Sequence, residues 1–129
     1  MARCLLLLSC LLLGACSGPF AGMPGGALSG TEAAWGPTDA EIDTGVIALE
    51  TRTSDPYSVY IGVFPVDGRL YIDPAESRTW YGHLQADPRV RVRFDGSDVV
   101  YLARVRREED PAILQQFEPD RIVMELVAR

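Results

Sequence analysis

Apolar and polar positions alternate most regularly in "RVRVRF", residues 89–94. Arg89, Arg91 and Arg93 fall on one side, and Val90, Val92 and Phe94 on the other. A period of two predicts a strand with one buried and one solvated face. The rest of the pattern predicts short strands and short helices around it. "TDAEID" opens a helix, because Thr38 can cap it and Glu41 follows three residues later. "GVIALETRT" reads as a strand. "YSVYIGVFPVDGRLYIDP" reads as a hairpin turning at Asp67-Gly68. Both faces of "VYIGVF" are apolar, so this strand is expected to be central and covered on both sides.

"DPAESRTWYGHLQADP" predicts a helix starting at Asp73, with Pro74 in the first turn, or nearer Ser77. Trp80 and Leu84 share one face at four-residue spacing, with Tyr81 beside Leu84. Pro88 disfavours helical geometry at Asp87 and ends the helix. "DGSD" turns the arginine strand into "VVYLARVR". "EEDPAILQQF" is a short helix, and "RIVMELVAR" closes the chain as a strand, favoured over helix by Ile122, Val123 and Val127. The class is mainly β with short helices.

The amino-terminal part breaks this pattern. Arg3 precedes "CLLLLSCLLLGAC", a charged start, a short apolar run and small residues, which make an export signal. The run is too short for a comfortable membrane span, which needs about 20 apolar residues. Leu13-Gly14-Ala15-Cys16 resembles the lipobox of bacterial lipoproteins; the alternatives are an ordinary cleaved signal or an uncleaved anchor. The resemblance implies that residues 1–15 are removed, that Cys16 carries lipid and that the protein is anchored in the cell envelope. Ser17 in place of Asp points to the periplasmic face of the outer membrane where there is one. The stretch to residue 37, rich in Gly, Ala, Ser and Pro, is expected to be a flexible tether spanning roughly 25 Å. The folded domain is then 38–129.

Composition narrows the chemistry. All three cysteines (Cys4, Cys10, Cys16) precede the domain, which leaves it no disulfide, zinc–thiolate site or cysteine nucleophile. From Cys16 onward, 11 Arg face 18 acidic residues, and no lysine is present. That balance argues against general nucleic-acid binding. The positive charge is segregated, however, into residues 89–107. Arg89, Arg91 and Arg93 offer a face for a phosphate-bearing ligand, anionic headgroups or polyanionic wall material. The plainer alternative is a solvated face paired with neighbouring Asp and Glu.

Ser77-Arg78-Thr79 brings hydroxyls, a guanidinium and free backbone N–H groups to a helix start, the parts an anion needs. His83 is the only histidine, and no other His or Cys in the exported chain can partner it. It can border a ring, ligate haem iron or cover the helix flank. Tyr60, Tyr71, Trp80, Tyr81 and Tyr101 can line a flat-ring pocket or fill a core. No glycine-rich phosphate loop, catalytic triad or metal-ligand set is present in the pattern, so no catalytic residue is assigned.

The element order, with "VFPVDGRLYIDP", "SRTWYGHLQADPRVRVRF" and "VVYLARVRREEDP", resembles the split β-barrel of pyridoxamine-phosphate-oxidase-like proteins. It is most similar to their small nitroreductase-like, deazaflavin-type branch. The resemblance implies a six-stranded split β-barrel, a homodimer, and FMN or a deazaflavin at the subunit interface. Ser77, Arg78 and Thr79 would hold its phosphate, and Trp80 and Tyr60 would border its ring. The implied activity is a flavin- or deazaflavin-dependent oxidoreductase. The alternative is a non-catalytic envelope lipoprotein binding an anionic ligand, haem or a protein partner.

Overall fold

The computed structural model describes residues 18–20 and 22–129. The signal read over 1–15 and the lipidation expected at Cys16 lie outside the described residues. Eight strands and three short helices follow in order: β1 (Thr31–Ala34), α1 (Asp39–Ile42), β2 (Val46–Thr51), β3 (Tyr57–Gly62), β4 (Phe64–Val66), β5 (Arg69–Ile72), α2 (Thr79–Ala86), β6 (Arg89–Phe94), β7 (Val99–Arg107), α3 (Pro111–Leu114) and β8 (Met124–Ala128). They form one sheet in the order β3-β2-β6-β7-β8-β5-β4, antiparallel throughout, with β1 joining β7 in parallel. The two ends of this path, β3 and β4, are consecutive in the chain and separated by Val63 alone. The sheet is therefore curled on itself, which leaves little open edge.

The local chemistry follows the sequence closely in several places. Thr38 caps α1 in a full capping box with Glu41, and Asp110 caps α3 at the Ala112 N–H. Asp67 and Gly68 turn the β4–β5 hairpin, both at positive φ (51° and 76°), as a two-residue turn matching strand twist requires. Asp87 is extended (φ −147°, ψ 111°), so α2 stops before Pro88. In β6 the valines and Phe94 are buried while the arginines face outward.

The core fills the inside of the curl. Ile47 and Leu49 of β2, Val92 and Phe94 of β6, and Val105 of β7 are all buried there, and Trp80, Tyr81 and Leu84 of α2 cover it. Glu41 fastens α1 to this body: Tyr101 Oη donates to its Oε1. Burial and that carboxylate push the Tyr101 hydroxyl up to about 12.

Three expectations are corrected. Six strands are expected and eight are present among the described residues. One extra strand arises because the first hairpin arm breaks at Val63 into β3 and β4; the other is β1, which comes from the stretch read as tether. "VYIGVF" is not central: β3 ends the strand path, and Tyr60 and Phe64 are 39% and 42% exposed. Apolar residues on both faces signal double cover only when the chain itself supplies the second layer, and here the outer face stays open at Tyr60 and Phe64. Of the two starts expected for α2, the one nearer Ser77 is found, at Thr79, because residues 75–78 form a turn in which the Arg78 N–H donates to Ala75 O (3.1 Å).

The third correction is the boundary of the folded unit. Leu28 is buried, and its N–H donates to Glu50 Oε2 at 2.7 Å. Gly25 and Ser58 exchange two backbone bonds of 2.8 Å, and Trp35 packs edge-on against Tyr101 at 5.9 Å. A segment docked mainly through backbone groups needs no apolar periodicity, so its composition resembles that of a linker.

Candidate functional site

The five residues expected to hold a cofactor, Tyr60, Ser77, Arg78, Thr79 and Trp80, line one groove of about 510 Å³ between β3 and the start of α2. Small-molecule sites commonly enclose about 300–1,000 Å³. Arg78 is the N-cap residue of α2, in extended conformation (φ −72°, ψ 133°), and no side chain caps the helix. The N–H groups of Thr79 and Trp80 thus have no intrahelical acceptor and lie at the positive end of the helix dipole. Among the described residues Arg78 belongs to no ion pair. Trp80 is 7% exposed, so most of its ring belongs to the core and only its rim borders the groove.

Residues remote in sequence complete the site. Arg121 enters from the segment before β8, where its Nη1 donates to Asp73 O at 3.1 Å. It brings a second guanidinium to the groove. Burial raises the Asp73 carboxyl above its ordinary range, against the opposing pull of Arg121. Gly22, Met23 and Pro24 of the amino-terminal arm add a wall. No local pattern around Arg121 or Met23 marks them: their role comes from the Ala75–Arg121 bridge and the docking of the arm on β3.

The other candidates fall elsewhere. Tyr81 and Tyr101 are core residues, and Tyr71 is buried and donates to Glu108 Oε2 at 3.0 Å. His83 lies on the flank of α2, where its Nδ1 is 2.8 Å from Thr51 Oγ1 and its ring meets Tyr57 edge-on at 5.0 Å. The Thr51 hydroxyl also lies 3.2 Å from Tyr57 O. The hydroxyl has one proton to share between Tyr57 O and His83 Nδ1, so the His83 tautomer sets which of the two it serves. Burial first, and then the Arg52 charge, lower the His83 pKa below 6.5. Between 6.5 and that lower value the unfolded chain binds the extra proton. Stability therefore falls as pH drops through this window. Chemical denaturation at pH 7 and pH 5 should show this loss, and His83→Gln should reduce it; an unchanged loss in the variant would assign it to other groups.

The arginines of this face are engaged within the chain. Arg89 grips Asp87 with Nε and Nη2 at 3.0 and 2.9 Å. Arg91 Nη1 meets the buried Glu50 carboxylate at 2.7 Å, and its Nη2 meets Glu32 at 3.3 Å. Arg93 Nη1 donates to Ser29 O at 2.7 Å. The expected anionic-ligand face at Arg89, Arg91 and Arg93 thus takes the form of the plainer alternative, a face paired within the chain. Two of its arginines strap the amino-terminal arm to the sheet, because the arm carries the carboxylate and carbonyls that the guanidiniums need. Among the described residues no group of three or more His, Cys, Asp or Glu is arranged to hold a metal ion. Nor is any helix among them long and apolar enough to cross a membrane.

A curled antiparallel sheet with a helix across one opening defines a split β-barrel fold. A solved structure of a pyridoxamine 5'-phosphate oxidase-like protein from Listeria innocua shares the fold at a TM-score of 0.58, with 16% identity over 70% of this chain and 89% of that one. A NimC/NimA family protein from Clostridium acetobutylicum scores 0.49, at 16% identity over 67% of this chain and 76% of that one. An FAD-binding protein from Mesorhizobium loti scores 0.48, at 16% identity over 75% and 92%. No protein-family model and no curated protein matches the chain.

Proposed function

We propose that the protein is an exported, lipid-anchored split-barrel oxidoreductase that holds the phosphate of FMN or a deazaflavin in the β3–α2 groove. The observation that carries this reading is the convergence of Ser77, Arg78, Thr79 and Arg121 on one groove at an uncapped helix start. Two guanidiniums, two hydroxyls and free N–H groups suit a phosphate. Tyr60 and the rim of Trp80 suit the face or edge of a flat ring. The residues present therefore fit a phosphorylated, ring-bearing cofactor. Such a cofactor supplies the hydride chemistry when bound. The chain's part is to neutralise the phosphate, to fix the ring against Tyr60 and to exclude water with the arm wall at Met23. The exposed Tyr60 and Phe64 on the outer face of the β3–β4 bend support a homodimer that covers them with a second copy. Haem is the weaker alternative, because His83 is committed to Thr51 outside the groove.

The test is a visible spectrum of the purified mature protein, followed by titration with FMN, riboflavin, a deazaflavin and haem. Arg78→Ala removes a charge-assisted bond of about 1.5–3 kcal/mol. FMN affinity should then fall roughly ten- to a hundred-fold, with riboflavin little changed. Equal losses for FMN and riboflavin would take Arg78 out of the phosphate site. No uptake of any flavin at tens of micromolar would leave the non-catalytic envelope protein as the better reading.

A further inference from the structure

Phe20 and Met23 are the most exposed large apolar residues among those described, at 74% and 67%. They sit opposite each other in a tight turn, with Met23 N–H donating to Phe20 O at 2.9 Å and Phe20 N–H to Met23 O at 3.2 Å. This turn is not a loose end. Pro19 before it is buried, and after it Gly25 is paired with Ser58 on β3. Ser58 Oγ donates to Gly26 O at 2.7 Å, and Arg93 holds Ser29. A well-fastened turn thus presents two large apolar side chains to water, where they gain nothing.

Chain length says what lies next to it. An extended chain advances at most about 3.6 Å per residue, so Cys16 lies within roughly 7 Å of Gly18 and within roughly 14 Å of Phe20. The expected tether therefore shrinks to Ser17 and the start of the arm. A diacylglyceryl group on Cys16 would bring the turn to the headgroup–acyl boundary of the bilayer, where large apolar side chains such as Phe bury. We infer that the Phe20–Met23 turn is a membrane-contacting tip, which seats the domain on the lipid surface with the mouth of the β3–α2 groove at the headgroups. The inference rests on the lipid anchor at Cys16.

The tip orients the domain. Two acyl chains already give stable attachment, and the apolar pair fixes which side faces the membrane. Met23 is both part of the tip and part of the groove wall, so the groove cannot face away when the tip is embedded. Arg78 and Arg121 then lie near the lipid phosphates, where cations are attracted. The ligand and any reactant would reach the groove from the membrane side.

The test uses the full precursor expressed in a bacterium. The mature lipoprotein is reconstituted in phosphatidylethanolamine–phosphatidylglycerol vesicles, and the mass of its amino-terminal peptide reports acylation of Cys16. Phe20→Trp is compared with the parent for quenching by lipids brominated near the glycerol end of the acyl chains. The expected result is acylation together with added quenching from the introduced indole, stronger than with lipids brominated at the chain ends. Acylation without added quenching overturns the tip while the anchor stands. If the indole is instead shielded only as protein concentration rises, the turn contacts a second copy and the tip is likewise overturned. An amino terminus without acyl chains overturns both the anchor and the tip.

Discussion

Arg91→Ala is expected to lower the stability of the domain by about 3–5 kcal/mol, the usual cost of removing one partner from a buried ion pair. Glu50 sits in β2 with its side chain 4% exposed, and Arg91 Nη1 is 2.7 Å from its Oε2. After the substitution the carboxylate keeps only the Leu28 N–H. Arg91 also donates to Leu28 O at 3.2 Å, so both backbone groups of Leu28 depend on this pair. The loss should therefore appear as global destabilisation in urea and as release of the arm to proteolysis. Combining Glu50→Leu with Arg91→Met removes both charges, and should cost less than Arg91→Ala alone. A loss below about 1 kcal/mol for Arg91→Ala would mean that Glu50 rehydrates freely, and the strap would then be ornamental. Arg89→Ala is the control, since Arg89 and Asp87 pair in solvent, with Arg89 side chain 56% exposed.

These arginines separate what a strand carries locally from what only the fold supplies. The alternation in "RVRVRF" identified β6 and its buried face, because a period of two is a property of the strand alone. What the arginines do outside that strand depends on Glu50, Leu28 and Ser29, which are remote in sequence and come together only through the fold. The same division runs through the groove. Ser77, Arg78 and Thr79 were legible because a helix start is a local event. Arg121 and Met23 were not, since a bridge to Ala75 and an arm docked on β3 have no local signature. The hairpin at Asp67-Gly68, the capping box at Thr38 and the stop at Pro88 were equally local, and they stand in the structure. The strand break at Val63 escaped notice because it is set by closure of the sheet: the chain must leave β3 at one end of the strand path and enter β4 at the other.

Gly30→Ala should have the second large effect, and it separates the arm from the barrel. Gly30 has φ +147°, a conformation that residues with a side chain rarely adopt. A Cβ placed on it would lie 2.1 Å from Asp98 O and 2.9 Å from Val100 Cγ2. The backbone strain is about 1–3 kcal/mol, and the overlap adds about 1–3 kcal/mol. Asp98 O also accepts the Thr31 N–H at 2.8 Å, the bond that starts the β1–β7 pairing. The chain can escape the overlap only by lifting β1, so the loss should fall on the arm before the core. Amide exchange at Thr31 and Ala33 should quicken by orders of magnitude, while buried amides of β2 and β6 keep their protection relative to global unfolding. Uniform loss of protection across β2, β6 and β7 would mean instead that arm and barrel unfold as one unit, with the docked arm part of the cooperative core.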